Sequence, residues 1–237
     1  MITLGIDLSS QPKDTAACLV DWHAAGRITV REAVHQCDDA ALDGLIRRAD
    51  AVGIDAPLGW PEAFVAAVGG WTATTWDNRE FQKSLRLRLT DIEVHAQTKL
   101  TPLSVSTDRI GLPAMRAMAL LSRHGVTDRS GGDGRFFEVY PAGSLKQWGM
   151  RCRGYKGSDK TALATRRTLL AELRKAIPAL EVDDACAQTD HVFDALIASL
   201  TARAAAQGKT LRPPPERYGI VRREGWIHLP MAENWPG

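Results

Sequence analysis

Apolar and polar residues follow two different periods along this chain, and the switches between them predict its elements. Ile2 to Leu8 is a nearly unbroken apolar run, as expected of a strand buried on both faces. Thr15 to Trp22 is a second such run, and Gly26 to His35 a third, with apolar positions at Ile28, Val30 and Ala33. The turns Gln11-Pro12-Lys13-Asp14 and His23-Ala24-Ala25-Gly26 join the three into a meander. Asp38 and Asp39 stand where a helix cap is expected, ahead of Ala41, Leu42, Leu45 and Ile46 at helical spacing. Val52 to Asp55 reads as a fourth, fully buried strand, stopped by Pro57.

Pro61 to Gly69 reads as a short helix, Trp71 to Thr75 as a loop, and Asp77 to Leu89 as a helix carrying Arg79, Lys83, Arg86 and Arg88. Leu112 to His124 has Pro113 in its first turn and Gly125 just past its end, which marks a helix. The glycine-rich turn Ser130-Gly131-Gly132-Asp133-Gly134 introduces a fifth strand, Arg135 to Tyr140, closed by Pro141. Ser158 to Ile177 is a long helix stopped by Pro178. Asp190 to Gln207, ended by Gly208, is apolar over most of its surface, as a helix packed on a sheet would be. Beyond the stiff Arg212-Pro213-Pro214-Pro215, Tyr218 to Val221 and Trp226 to Leu229 flank Arg222-Arg223-Glu224-Gly225 in the manner of a β-hairpin. The pattern reads as one α/β domain over 1–237, with an insertion at about 60–110 and a C-terminal hairpin at about 216–230.

Composition excludes several classes. No apolar stretch approaches the ~20 residues of a membrane span, and the N-terminus opens into a strand rather than a leader, so a cytoplasmic protein without a membrane partner is expected. Cys18, Cys37, Cys152 and Cys186 form no CxxC pair, which argues against a zinc ribbon, a redox dithiol or a disulfide scaffold. The net charge of +2 is unevenly spread: Lys146 to Lys175 holds nine Lys/Arg against Asp159 and Glu172, whereas Glu181 to Asp194 holds five acids and no Lys or Arg. A basic flank beside an acidic centre suits a polyanion held near a metal, and also suits helices with solvated faces. No heptad seam indicates an oligomeric state.

Candidate chemistry lies in the acids at the ends of the apolar runs. Asp7 closes the first strand at Gly5-Ile6-Asp7-Leu8-Ser9-Ser10, either as a metal or phosphate ligand or as a cap on the Ser9-Ser10 turn. Asp55 closes the fourth, where a buried acid needs a metal or a partner such as Arg88. Two such carboxylates in one site repel unless a cation intervenes. Asp190 and Asp194, four residues apart, project from one helix face, with His191 directed elsewhere. Glu138 sits late in the fifth strand, as a further ligand or a paired strand acid. There is no HExxH, GxSxG or Walker A motif.

Gly5-Ile6-Asp7, Ile54-Asp55-Ala56-Pro57-Leu58, Arg88-Leu89-Thr90-Asp91, Glu138-Val139-Tyr140-Pro141, Tyr155-Lys156 and Asp190 through Leu196 together resemble the DUF429 family, a group of predicted nucleases placed in the ribonuclease H-like superfamily. The resemblance implies a ribonuclease H-like mixed five-stranded sheet, three antiparallel strands and then parallel ones, with helices on both faces. It implies Mg²⁺ or Mn²⁺ on Asp7, Asp55 and Asp194, with Asp190 as the near substitute. The superfamily often has Glu where Asp55 stands.

The expected function is metal-dependent phosphodiester hydrolysis of nucleic acid, DNA or RNA. Asp7 would bridge two cations, Asp55 and Asp194 would each favour one, and Glu138 would orient a metal-bound water. Lys156 would stabilise charge on the phosphoryl group. Ser9, Arg88, Arg222, Arg223 and the basic helix would hold the backbone; Arg88 and Asp91 alternatively form a structural ion pair. Trp60, Trp71 and Trp76 either stack on bases or cover the sheet. The rival functions are a non-catalytic nucleic-acid-binding module and an ATP-binding phosphotransferase of the actin-like or sugar-kinase type. The latter needs a second domain, for which the chain has no room.

Overall fold

The apolar runs pair into one mixed sheet. In the computed structural model, which describes residues 1–70 and 84–231, β1 (Ile2–Asp7), β2 (Ala16–Trp22) and β3 (Ile28–His35) form an antiparallel meander. On the other side of β1, β4 (Ala51–Asp55) and β5 (Phe136–Glu138) add in parallel. Three antiparallel strands followed by two parallel ones are the mixed sheet that the resemblance implies, here in the order β5-β4-β1-β2-β3. A sixth strand, β6 (Leu180–Glu181), extends the sheet by pairing in parallel with Ile28 and Thr29. Two residues are too few for alternation to reveal from sequence.

Both faces are covered. The described helices are α1 (Asp39–Ile46), α2 (Glu62–Gly69), α3 (Leu89–Thr98), α4 (Gly111–Arg123), α5 (Pro141–Gln147), α6 (Lys160–Ala176), α7 (Asp190–Ala206) and α8 (Tyr218–Glu224). Alternate residues of β2 divide between two cores. Ala16, Cys18 and Val20 join Leu169, Leu173, Phe193 and Leu196 of α6 and α7. Ala17 and Leu19 join Leu42, Ile46, Leu120 and Leu121 of α1 and α4. Each such fully buried leucine stabilises the fold by about 1.5–3 kcal/mol. The cysteines are all free thiols.

The helix that matters most for function is α7. It lies directly on the sheet because β1 and β4 present glycines at the same register, Gly5 opposite Gly53. A Cβ on Gly5 would stand 1.9 Å from the Ala195 carbonyl oxygen, and one on Gly53 would stand 2.5 Å from that of Ala198. Backbone therefore meets backbone, which no side chain larger than hydrogen permits. A buried polar contact strengthens the seam: Thr3 Oγ1 and Ser199 Oγ are 2.8 Å apart, and the Trp22 indole donates to Thr3.

Several sequence expectations need correction. The C-terminal hairpin is instead helix α8, in which Val221 and Glu224 are buried three residues apart, a helical rather than an alternating period. Gly225, at φ 90°, ends that helix rather than forming a hairpin turn. Trp226 to Leu229 is extended, but Ile227 bridges to Glu138 of β5 rather than to residues 218–221. Two helices were not expected. The α3 helix starts after Arg88, whose N–H is held by Asp91 Oδ2 at 2.9 Å, and α5 starts at Pro141, a favoured first residue. Residues 84–86 are helical, while the rest of the 77–89 expectation, and Trp71, Trp76, Arg79 and Lys83, mostly lie outside the described residues.

Candidate functional site

Parallel pairing puts two acids side by side at the carboxyl end of the sheet. Asp7 and Asp55 are register partners, the last residues of β1 and β4. The close seat of α7 on Gly5 brings Asp194, one residue before Ala195, to the same place. One carboxylate oxygen from each of Asp7, Asp55 and Asp194 lies within 4.8 Å of the others. Asp194 is buried, whereas Asp7 and Asp55 are partly open.

Each acid is held differently. Asp194 Oδ1 accepts from the Tyr155 hydroxyl at 2.9 Å, and its Oδ2 lies 2.6 Å from Lys156 Nζ. Asp7 Oδ2 is 2.6 Å from His191 Nδ1, and that imidazole stacks on His35 at 5.4 Å between ring centroids. Asp55 has no hydrogen-bond donor among the described residues.

Electrostatics record the crowding. Burial pushes the Asp7 carboxyl up to about 6 against the opposing hydrogen bond from His191, with the Asp194 charge adding to the rise. Asp55 is raised well above the carboxylate range, first by burial, with Lys156 opposing and Asp7 and Asp194 reinforcing. Desolvation acts to lower the Lys156 ammonium, but the charges of Asp194 and Asp55 overcome it and hold it above the ordinary lysine range. The Lys156 side chain is nevertheless 57 % exposed, so water screens part of these interactions. The hydrogen bond to Asp7 raises the His191 imidazole.

The loop bearing Lys156 is fastened to the start of α7. The Gly157 N–H donates to Asp190 Oδ2 at 2.8 Å. Beneath it lies Arg166 of α6, 1 % exposed. Its Nη1 donates to the carbonyls of Tyr155 (2.6 Å) and Gly157 (2.8 Å), on either side of Lys156. Its Nε and Nη2 donate to the carbonyls of Ala187 (2.9 Å) and Gln188 (3.0 Å), just before α7.

Of the residues marked in the sequence, the structure gathers Asp7, Asp55, Asp194 and Lys156. Asp190 stands beside them, occupied by Gly157. Ser9 follows in the turn after Asp7, where its N–H meets Thr15 Oγ1 and its carbonyl accepts from Arg116. Glu138 adjoins Ile54 in the sheet, but its carboxylate is turned to another task. Arg88 Nη2 and Nη1 grip Glu138 Oε1 and Oε2 at 2.7 and 2.8 Å, and Leu58 N–H adds a third bond. The same guanidinium holds Asp91 at 2.9 Å and the Glu224 carbonyl at 3.1 Å, with Arg88, Glu138 and Asp91 all buried. Arg88 thus faces no solvent that a substrate could reach, and Glu138 has no oxygen left unbonded. Arg222 and Arg223, both on α8, pair with Asp128 and Glu62 rather than with anything in the acid cluster.

One participant was missed. His191 was expected to point away from the acids, yet it touches Asp7. The signal was present: residues 191 and 194 are three apart and share a helix face, as 190 and 194 do at four.

A family model described as a protein of unknown function (DUF429) matches residues 5–218. The chain belongs to the DUF429 family. No curated protein matches this DUF429 chain. Among solved structures it is similar to Thermus thermophilus RuvC, at 14% identity and a TM-score of 0.35, covering 88% of this chain and 96% of that one. That likeness says nothing about activity. No helix among the described residues is long and apolar enough to cross a membrane.

Proposed function

We propose that this DUF429 protein is a metal-dependent phosphodiesterase acting on nucleic acid, with Mg²⁺ or Mn²⁺ held by Asp7, Asp55 and Asp194. The observation that carries the reading is the meeting of three carboxylates from two strand ends and a helix, within 4.8 Å and partly or wholly buried. Without a cation such a cluster is costly: burial first, and the neighbouring carboxylates after it, raise the Asp7 and Asp55 carboxyls. An all-oxygen donor set suits a hard divalent ion. When bound, that ion supplies Lewis acidity and an activated water.

The chain's own residues supply the rest. Tyr155 fixes the orientation of Asp194, and His191 that of Asp7. Lys156, on a largely exposed stem, can reach from Asp194 to a phosphate oxygen and stabilise its developing charge. Asp190 serves as a positioning residue, since it holds the backbone of the Lys156 loop. Ser9, in the turn after Asp7, would offer its hydroxyl to a phosphate. Arg151, Arg153, Lys160 and Arg167 are exposed on the same loop and on α6. They would form a basic border for a nucleic-acid backbone, and contacts of this kind weaken steeply with salt.

The test is a panel of fluorescent single- and double-stranded DNA and RNA, incubated with Mg²⁺, Mn²⁺ or chelator. Cleavage should require the cation and disappear in Asp7→Asn. Substantial cleavage by that variant would refute the assignment.

A further inference from the structure

We infer that the centre takes a single divalent cation, and that the Lys156 ammonium stands in the place where a two-metal site would hold its second ion. The inference rests on the metal-dependent reading above and concerns how many ions that reading allows. Among the described residues, Asp7, Asp55 and Asp194 are the acids that converge. Of the other acids marked in the sequence, Glu138 is committed through both oxygens to Arg88 and the Leu58 N–H, and Asp190 through Oδ2 to the Gly157 N–H. Three carboxylates are neutralised by one divalent ion and one ammonium. Two divalent ions beside that ammonium would leave a surplus of positive charge in a partly buried site, with too few anionic ligands to offset its desolvation.

Geometry agrees with the charge count. Lys156 Nζ sits 2.6 Å from Asp194 Oδ2, and the Tyr155 hydroxyl occupies Oδ1, so both oxygens of Asp194 already have a protein donor. Asp55 and the free oxygen of Asp7 lie side by side across the β1–β4 register, and this is the open side of the cluster. Asp7 and Asp55 would hold the ion, and Asp194, which already carries Tyr155 and Lys156, would complete the set. Nor is the ammonium there by chance. Arg166 holds the carbonyls on both sides of Lys156, and Asp190 holds the next N–H, so the loop delivers it to this position.

The experiment is a Mn²⁺ titration of the full chain followed by calorimetry for stoichiometry and by electron paramagnetic resonance for spin coupling between neighbouring ions. The wild type should bind one ion and show an uncoupled spectrum. Lys156→Met should gain a second ion with the coupled spectrum of a pair, and Lys156→Arg should return to one. Two coupled ions in the wild type would overturn the inference while leaving the metal-dependent reading intact. One ion in both the wild type and a folded Lys156→Met would overturn it too, because the lysine would not be what excludes the second. A wild type that binds no Mn²⁺ would remove the metal-dependent reading itself, and this inference with it.

Discussion

Replacing Gly5 with alanine should damage the proposed metal centre without touching any of its three carboxylates. The added Cβ would lie 1.9 Å from the Ala195 carbonyl oxygen and 2.2 Å from the Ser199 nitrogen. Ordinary van der Waals contact begins near 3.4 Å, so α7 and β1 would have to part by about 1.5 Å. Both obstructing atoms are backbone in the middle of a buried helix, and no rotamer change relieves them. Overpacking of this kind costs about 1–3 kcal/mol, and the absence of any soft neighbour puts this case at the top of the range. For a chain of 237 residues, about 3 kcal/mol corresponds to a melting temperature lowered by roughly 6–12 °C. Asp194 precedes Ala195 and moves with it, so its carboxylate leaves the reach of Asp7 and Asp55. The assay pairs thermal unfolding with Mn²⁺ calorimetry. The expected result is a folded, less stable protein with weakened ion binding. A Gly5→Ala variant with wild-type melting and wild-type Mn²⁺ affinity would show that the close seat of α7 does not set the site.

Two further outcomes separate structure from chemistry elsewhere in the molecule. Glu138→Ala leaves the buried Arg88 guanidinium with Asp91 and the Glu224 carbonyl and strips the Leu58 N–H of its acceptor, which should cost about 3–5 kcal/mol in urea denaturation while leaving Mn²⁺ binding in place; loss of ion binding at unchanged stability would restore Glu138 to the proposed centre. His228 is buried, with Nε2 3.0 Å from the Ser130 carbonyl and Nδ1 3.0 Å from Thr210 Oγ1, and desolvation pulls it down to about 4 against the pull of that carbonyl. The unfolded ring takes up its proton first, so its contribution is complete above about pH 6.5 and fades as pH falls towards 4, about 3 kcal/mol in all; urea midpoints of the wild type and His228→Gln should converge on acidification, and a constant gap would contradict the assignment.

The strands β1, β4 and β5 were legible because each is an apolar run closed by an acid or a proline, and β2 because it is an apolar run buried throughout. Asp7 and Asp55 were legible for the same reason: a charge at the end of such a run stands out. What sequence did not reveal depends on partners far along the chain. Nothing local ties Glu138 to Arg88, fifty positions away, or shows that Gly225 must pass within 2.6 Å of the Glu138 carboxylate if it carried a Cβ. The short helix α8 was mistaken for a hairpin arm because Tyr218, Ile220 and the extended Trp226 to Leu229 mimic alternation over a few residues. His191 was lost by weighing only one of the two spacings that share a helix face.

The Arg166 clamp also bears on how this protein can vary. Its acceptors are all main-chain carbonyls, and every residue type has one. As far as the grip is concerned, mutation at Ala187 or Gln188 changes nothing. The shape of two loops is thereby written at one remote codon, and a single change there would release both.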